Sequence, residues 1–227
     1  MSDAPLRLAV FDCDGTLVDS AGVIVAAMNA AWAAEGLPAP EEALVRRQVG
    51  LPLVQAIANI AHAHAAELHH RLADHYRDAF LGGTMLDRHE EPLFPGCRAA
   101  LEALAGDDVI LAVATGKGRR GLQQTLERHN LSPYFTVLKT ADDGPGKPAP
   151  DILLDAMAEV GAEPWNTVVI GDTIFDMAMA ANARAKAVGV GWGYHPPHEL
   201  TKAGAHALAE RFEQVPVLAQ TLWEGPA

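Results

Sequence analysis

Residues 7–20 read RLAVFDCDGTLVDS. An apolar run, Leu8 to Phe11, breaks into two aspartates one residue apart, Asp12 and Asp14, and then into Gly15, Thr16 and small polar residues that cannot continue a strand. A buried strand ending here delivers two carboxylates at its carboxyl end, and Gly15 lets the backbone turn sharply past a bound anion. In an open α/β sheet, ligands bind at that end. Asp and Gly are also ordinary residues of solvated turns, so the rest of the chain has to decide whether Asp12 and Asp14 have chemical partners.

Apolar, strand-like runs recur at DVILAVAT (108–115), TVLK (136–139), TVVIGD (167–172) and KAVGVGW (186–192). Segments with helix-period apolar spacing separate them, around 97–105, 117–129, 150–160 and 175–184. Alternating strands and helices imply an α/β chain with a Rossmann-like parallel sheet and crossover helices. The stretch between Asp19 and Glu91 departs from this pattern. It holds no convincing strand but has alanine-rich helical segments, AGVIVAAMNAAWAAEG (21–36) and LVQAIANIAHAHAAELHHRLADHY (53–76). The expected organisation is a core of residues 1–18 and 92–227 with an inserted all-helical unit over 19–91. The short segment Gly15 to Ser20 and the EEPLFPG turn (90–96) form its exits.

Composition limits the partners. Seventeen Lys and Arg against 29 Asp and Glu give a formal charge of −12 in 227 residues, and no basic block offers a footprint for nucleic acid or an anionic membrane. Two cysteines, Cys13 and Cys97, make no disulfide framework and point to a reducing compartment. No run approaches the roughly 18 apolar residues of a membrane helix, and the first residues lack a signal-peptide pattern. A cytoplasmic protein is expected. The histidines at 62, 64, 69, 70 and 75 lack the three- and four-residue spacings of helical metal pairs and read as a solvated helix face.

Three further places fall where a parallel sheet puts loops at strand ends. Thr115 closes LAVAT and is followed by Gly116 and Lys117 at an expected helix start, where a hydroxyl and free amides suit a phosphoryl oxygen. A plain N-cap is the other reading of that threonine. Lys147 stands in GPGKPAPD, held between Gly146 and Pro148: a surface lysine, or a cation directed at the carboxylates. In VVIGDTIFDMAMAANA, Asp172 leaves an apolar strand and Asp176 follows at a helix start. Acids there suit the helix dipole, and they can also complete a magnesium site.

In order, FDCDGT, ATG, GKPAPD and GDTIFD resemble the four motifs of the haloacid dehalogenase superfamily of phosphohydrolases, an acid pair, Ser/Thr, Lys and an acid pair. The resemblance spans Leu8 to about Tyr194, and the insert resembles the helical cap of that family. It implies Asp12 as nucleophile, forming an aspartyl-phosphate, and Asp14 as acid and then base. It also implies Thr115 and Lys147 as a charge clamp on the phosphoryl group, and Mg²⁺ held by the side chains of Asp12 and Asp172 and the Asp14 backbone carbonyl, with Asp176 a ligand through water or an anchor behind the ligands. Gly15, Thr16, Gly116, Arg46 and Gly50 are the expected substrate contacts, Arg46 or Arg47 reaching a substrate carboxylate from the cap. Solvated helix charges are the alternative for both arginines.

The presence of Asp14, Asp172 and Asp176 argues against the dehalogenase branch of the superfamily. The first lysine of the chain, Lys117, lies beyond the cap, which removes the phosphonatase branch and its Schiff-base lysine. DGTLVDS and the cap segment RRQVGLPL resemble phosphoglycolate phosphatases. The resulting expectation is a magnesium-dependent hydrolase of a small phosphorylated metabolite. A sugar-phosphate mutase and a catalytically silent phosphate-binding module are the alternatives. Gly116 departs from the Asn or Ser frequent after the threonine, and Lys117, Arg119 and Arg120 add charge of undetermined role.

Overall fold

The computed structural model describes residues 6–82, 90–106 and 108–225. Residues 1–5 and 226–227 of the expected core, and 83–89 of the expected helical unit, lie outside that range. Six parallel strands form one sheet: β1 (Arg7–Phe11), β2 (Val109–Ala114), β3 (Val137–Lys139), β4 (Thr167–Gly171), β5 (Lys186–Val190) and β6 (Ala207–Ala209), in the order β3-β2-β1-β4-β5-β6. The chain builds outward from β1 on one side and then from β4 on the other. The strand order therefore reverses between β1 and β4, which opens a crevice at their carboxyl ends. In register, Phe11 pairs with Val113 on one side and Ile170 on the other, so residues just past all three strands converge there.

The alternation of β1 explains its unbroken apolar run, since both faces of a parallel sheet are covered. Ala9, Phe11 and Cys13 face a core shared with α5 (Cys97–Leu104), α6 (Arg119–Arg128) and α10 (Val215–Glu224), through Leu101, Leu122, Val215 and Trp223. Leu8 and Val10 face the opposite core, with Ile152 and Leu153 of α7 (Asp151–Val160), Met177 and Ala180 of α8 (Ile174–Asn182) and Leu200 of α9 (Pro197–Ala203). Strand and helix bounds agree with the periodicity to within two residues. The sequence reading placed no element beyond Trp192, where β6, α9 and α10 complete the sheet and its layers. Both of those helices carry a proline in their first turn, a residue that reads as a breaker but fits there because its missing N–H has no helical partner anyway.

Between β1 and α5 the described residues form α1 (Ala21–Ala34), α2 (Glu42–Arg46), α3 (Leu53–Ile60) and α4 (Ala66–Leu81), which have a separate apolar core including Ala27, Trp32, Ile57 and Leu72. The expected continuous segment 53–76 is broken at residues 61–65 without a Gly or Pro to mark it. This corrects the assignment of His62 and His64 to a helix face: both are exposed in the turn between α3 and α4. His69 steadies that turn, its Nε2–H donating to the Ala61 carbonyl at 3.0 Å. No helix among the described residues is long and apolar enough to cross a membrane.

Leu101, fully buried beneath the sheet, tests the core directly. Leu101→Ala is expected to destabilise the protein by about 2–5 kcal/mol through lost burial and the cavity left behind, read as a shift in the urea midpoint.

Candidate active site

Asp12 is the first residue past β1, and its N–H donates to the Ile170 carbonyl at 2.9 Å, which extends the sheet by one bond and fixes the backbone that carries the side chain. Asp172 is the first residue past β4. Asp176 sits in the first turn of α8, locked by reciprocal capping. Its Oδ2 accepts from the Thr173 N–H (3.0 Å) and hydroxyl (2.7 Å), while Thr173 Oγ1 accepts from the Asp176 N–H. The cap satisfies donors that the helix leaves free and places a carboxylate at the positive end of its dipole.

Each of the carboxylates of Asp12, Asp172 and Asp176 offers one oxygen within 4.8 Å of the others, and all three are buried. Lys147, fully buried, brings Nζ to 2.7 Å from Asp12 Oδ1 and 2.5 Å from Asp176 Oδ1. These are charge contacts without the alignment of hydrogen bonds. Asp172 is held from two sides, its Oδ1 accepting from the Thr16 hydroxyl and its Oδ2 from the Tyr194 N–H, both at 2.9 Å. Thr16, expected at the substrate, therefore directs its hydroxyl at Asp172. Gly15 passes the same carboxylate with φ +86°, and a Cβ there would lie 2.3 Å from Asp172 Oδ2.

Three acids face one ammonium, and the local charge is out of balance. Burial pushes the Asp12 carboxyl up to about 7, with Lys147 pulling it down and Asp176 pushing it up. Asp172 is raised well above the ordinary carboxylate range, by burial first and then by Asp12 and Asp176. Burial works against the Lys147 ammonium, but the two carboxylates beside it raise its pKa above the usual lysine value. Asp12 Oδ2 is buried with no partner among the described residues. An all-oxygen donor set with surplus negative charge and an orphaned oxygen fits a hard divalent cation such as Mg²⁺. The Asp14 carboxylate is not part of this cluster.

Asp14 turns instead to a second buried group. Lys117 Nζ lies 2.7 Å from Asp14 Oδ1 and 2.9 Å from Glu91 Oε1, with the Phe80 ring centroid at 5.1 Å. Glu91 Oε2 accepts from the Thr125 hydroxyl at 3.0 Å, and the Glu91 carbonyl accepts from the His129 ring at 2.7 Å. Burial opposes the Lys117 charge, yet Asp14 and Glu91 raise its pKa well above the ordinary value. Lys117 is thus not the start of α6, which begins at Arg119. The Lys117 N–H donates to Thr115 Oγ1 at 3.2 Å across the turn. Arg119 is tied to Asp143 at 2.7 Å, and Arg120 is exposed. No local pattern marks Glu91, which meets Lys117 only through the fold.

The loop after α2 closes over these groups. A Cβ on Gly116 would lie 2.6 Å from the Gly50 carbonyl oxygen, so the departure from Asn or Ser at this position leaves room for the loop. His195 ties the same loop to the core: its Nδ1 accepts from the Ile174 N–H and its Nε2–H donates to the Arg47 carbonyl, each at 3.2 Å. Beneath the loop is a cavity of about 380 Å³ with Asp12, Asp14, Thr115 and Gly116 in its wall, along with Gly50 and apolar residues of α1, α2 and α4. Arg46 is not brought there. Its guanidinium is exposed and donates to Glu42 Oε1 at 2.7 and 2.9 Å, while Arg47 bonds Glu199 at 2.8 Å.

The profile of the haloacid dehalogenase-like hydrolases matches residues 9–190. A probable phosphatase, IndB, of Dickeya dadantii is 33% identical over 95% of this chain and 94% of its own length. A phosphoglycolate phosphatase of Agrobacterium fabrum is 31% identical over 86% of this chain and 84% of its own. Among solved structures, a hydrolase from Pseudomonas syringae superposes with a TM-score of 0.82 at 29% identity, over 94% of this chain and 98% of that one.

The acid cluster predicts an unusual stability profile for the metal-free protein. Asp12 releases its proton near 3.8 when unfolded but only near 7 when folded, so between those values the folded state binds more protons and stability falls as pH rises. The midpoint in thermal melts should drop from pH 5 to pH 7.5, and Asp12→Asn should flatten the drop. Added Mg²⁺ should raise the midpoint more at pH 7.5 than at pH 5, since it binds the ionised cluster.

Proposed function

This chain belongs to the haloacid dehalogenase-like hydrolases and is a phosphatase, and from that premise we propose that it is a magnesium-dependent phosphomonoester hydrolase working through an aspartyl-phosphate on Asp12. The observation that carries the proposal is the Asp12, Asp172 and Asp176 cluster with its orphaned Asp12 oxygen, Asp12 standing with Asp14 in the wall of the cavity. Asp12, Asp172 and Asp176, with the Asp14 backbone carbonyl, would hold the Mg²⁺. The bound ion offsets repulsion between the carboxylates and the phosphoryl oxygens.

In the first step an Asp12 carboxylate oxygen forms a bond to phosphorus as the bond from phosphorus to the alcohol oxygen breaks. Asp14, as a carboxylic acid, gives its proton to that oxygen. In the second step the Asp14 carboxylate takes a proton from water, the water oxygen attacks phosphorus, and the bond to Asp12 breaks, releasing phosphate and restoring both acids. Lys147 screens the nucleophile and the transferring charge, and Thr115 presents its hydroxyl at the end of β2. Lys117 and Glu91 act as positioning residues, holding the Asp14 carboxylate toward the cavity. The helical unit is the cap, covering the site while a small phosphorylated metabolite is bound and excluding bulk water. The mostly apolar wall favours hydrolysis over a sugar-phosphate mutase reaction, which needs polar groups to hold a reorienting bisphosphate.

Rapid acid quench after mixing with a ³²P-labelled phosphomonoester should leave label on the protein that hydroxylamine removes, and Asp12→Asn should carry none. Asp14→Asn is expected to lower kcat by about 10²–10⁴-fold. Chelation should stop phosphate release and Mg²⁺ should restore it. Turnover that survives exhaustive chelation would contradict the assigned role of Asp172.

A further inference from the structure

Beyond Asp12 and Asp14, much of the cavity wall is apolar. Ile24 and Met28 of α1, Val45 of α2, Val49 of the closing loop and Phe80 of α4 line it. Of the polar groups in the lining, Gln48 and Tyr76 carry no charge, Gln48 Oε1 already accepts from Asn59 at 2.7 Å, and the charged residues besides Asp12 and Asp14 are Arg77, Lys117, Arg120 and Asp142. A volume of about 380 Å³ is at the small end of ligand-sized pockets and far exceeds what a phosphoryl group with a two-carbon acid fills.

The disposition of cations is the second part of the argument. Lys117, buried in the wall, already faces Asp14 and Glu91. Arg77 also lines the cavity, but its side chain is half-exposed and bonds the exposed Asp74 at 2.8 Å. Arg46 and Arg47 pair with Glu42 and Glu199 outside the lining. Arg120 lines the cavity but is exposed, where solvent and salt screen a pairing. A carboxylate carried into the apolar end would lose its hydration with no buried counter-charge to replace it. A hydrocarbon group would gain from leaving water.

Resting on the hydrolase reading above, we propose that the alcohol released by this enzyme is an uncharged, predominantly apolar group seated against Ile24, Met28, Val45, Val49 and Phe80, and that phosphate esters of short carboxylated alcohols are poor substrates.

The test is kcat/KM with Mg²⁺ for n-alkyl phosphates from ethyl to hexyl, together with isobutyl phosphate and its carboxylate isostere, 2-phosphoglycolate. Leaving-group acidity hardly changes along the alkyl series, so a trend reports the cavity. We expect about a fourfold rise per methylene, the effect of burying one CH₂, until the cavity is filled, and at least a tenfold preference for isobutyl phosphate over 2-phosphoglycolate. Leu53 is half-buried in the cavity wall and packs at the margin of the helical unit's core. Leu53→Lys should invert that preference by placing a cation beside the leaving group, with the melting temperature checked in parallel. A flat alkyl series, or a wild-type preference for 2-phosphoglycolate, overturns the assignment of the leaving group but leaves the hydrolase reading standing. Absence of Mg²⁺-dependent phosphate release from every phosphomonoester overturns both.

Discussion

Asp12, Asp172 and Asp176 crowd around Lys147 with almost no exposed surface, and the surrounding fold is arranged to hold that repulsive cluster in place. Like charges so close would separate if their backbones could move. They cannot, because Asp12 is bonded to Ile170 across the sheet, Asp172 accepts from Thr16 and Tyr194, and Asp176 is locked in the cap of α8. Packing of β1 and β4 between two helical layers supplies the rigidity, and the raised pKa values of Asp12 and Asp172 are the electrostatic consequence. A site held in this way is pre-organised for a cation and a phosphoryl dianion, whose charges complement one another.

The helical unit meets this core through few but specific contacts. Gly50 lies against Gly116, where a side chain would collide, and His195 accepts from the start of α8 while donating to Arg47. Burial lowers the pKa of His195, with smaller opposing contributions, so its neutral ring can accept and donate at once. Lys117 adds a link of another kind, since its partners are the proposed acid Asp14 and Glu91, the residue next to the Pro92 exit from the insert. The acid is thereby coupled to the segment through which the helical unit rejoins the sheet.

Much of this was legible in residue order. The run Leu8 to Phe11 reads as a doubly covered strand because both faces of β1 are buried, and Asp12, Asp14, Lys147, Asp172 and Asp176 stand out because charged residues at the mouths of apolar strands need partners. Legibility failed where the signal was not local. The break between α3 and α4 falls in an alanine-rich stretch without a breaker, Glu91 is one acid among many, and the roles of Arg46 and Arg47 depend on acids 4 residues away in one case and 152 in the other.

The sequence alone determined the parallel α/β core, because side-chain period is a local property that survives without coordinates, and the order of its four motifs singled out Asp12, Asp172 and Asp176 through a family resemblance. Only the tertiary structure decided which charge each charge meets. It gave the Thr16 hydroxyl to Asp172, Lys117 to Asp14 and Glu91, and Arg46 and Arg47 to acids outside the cavity. Pairing depends on distance in the folded chain, as does the gathering of Ile24, Met28, Val45, Val49 and Phe80 into one cavity wall.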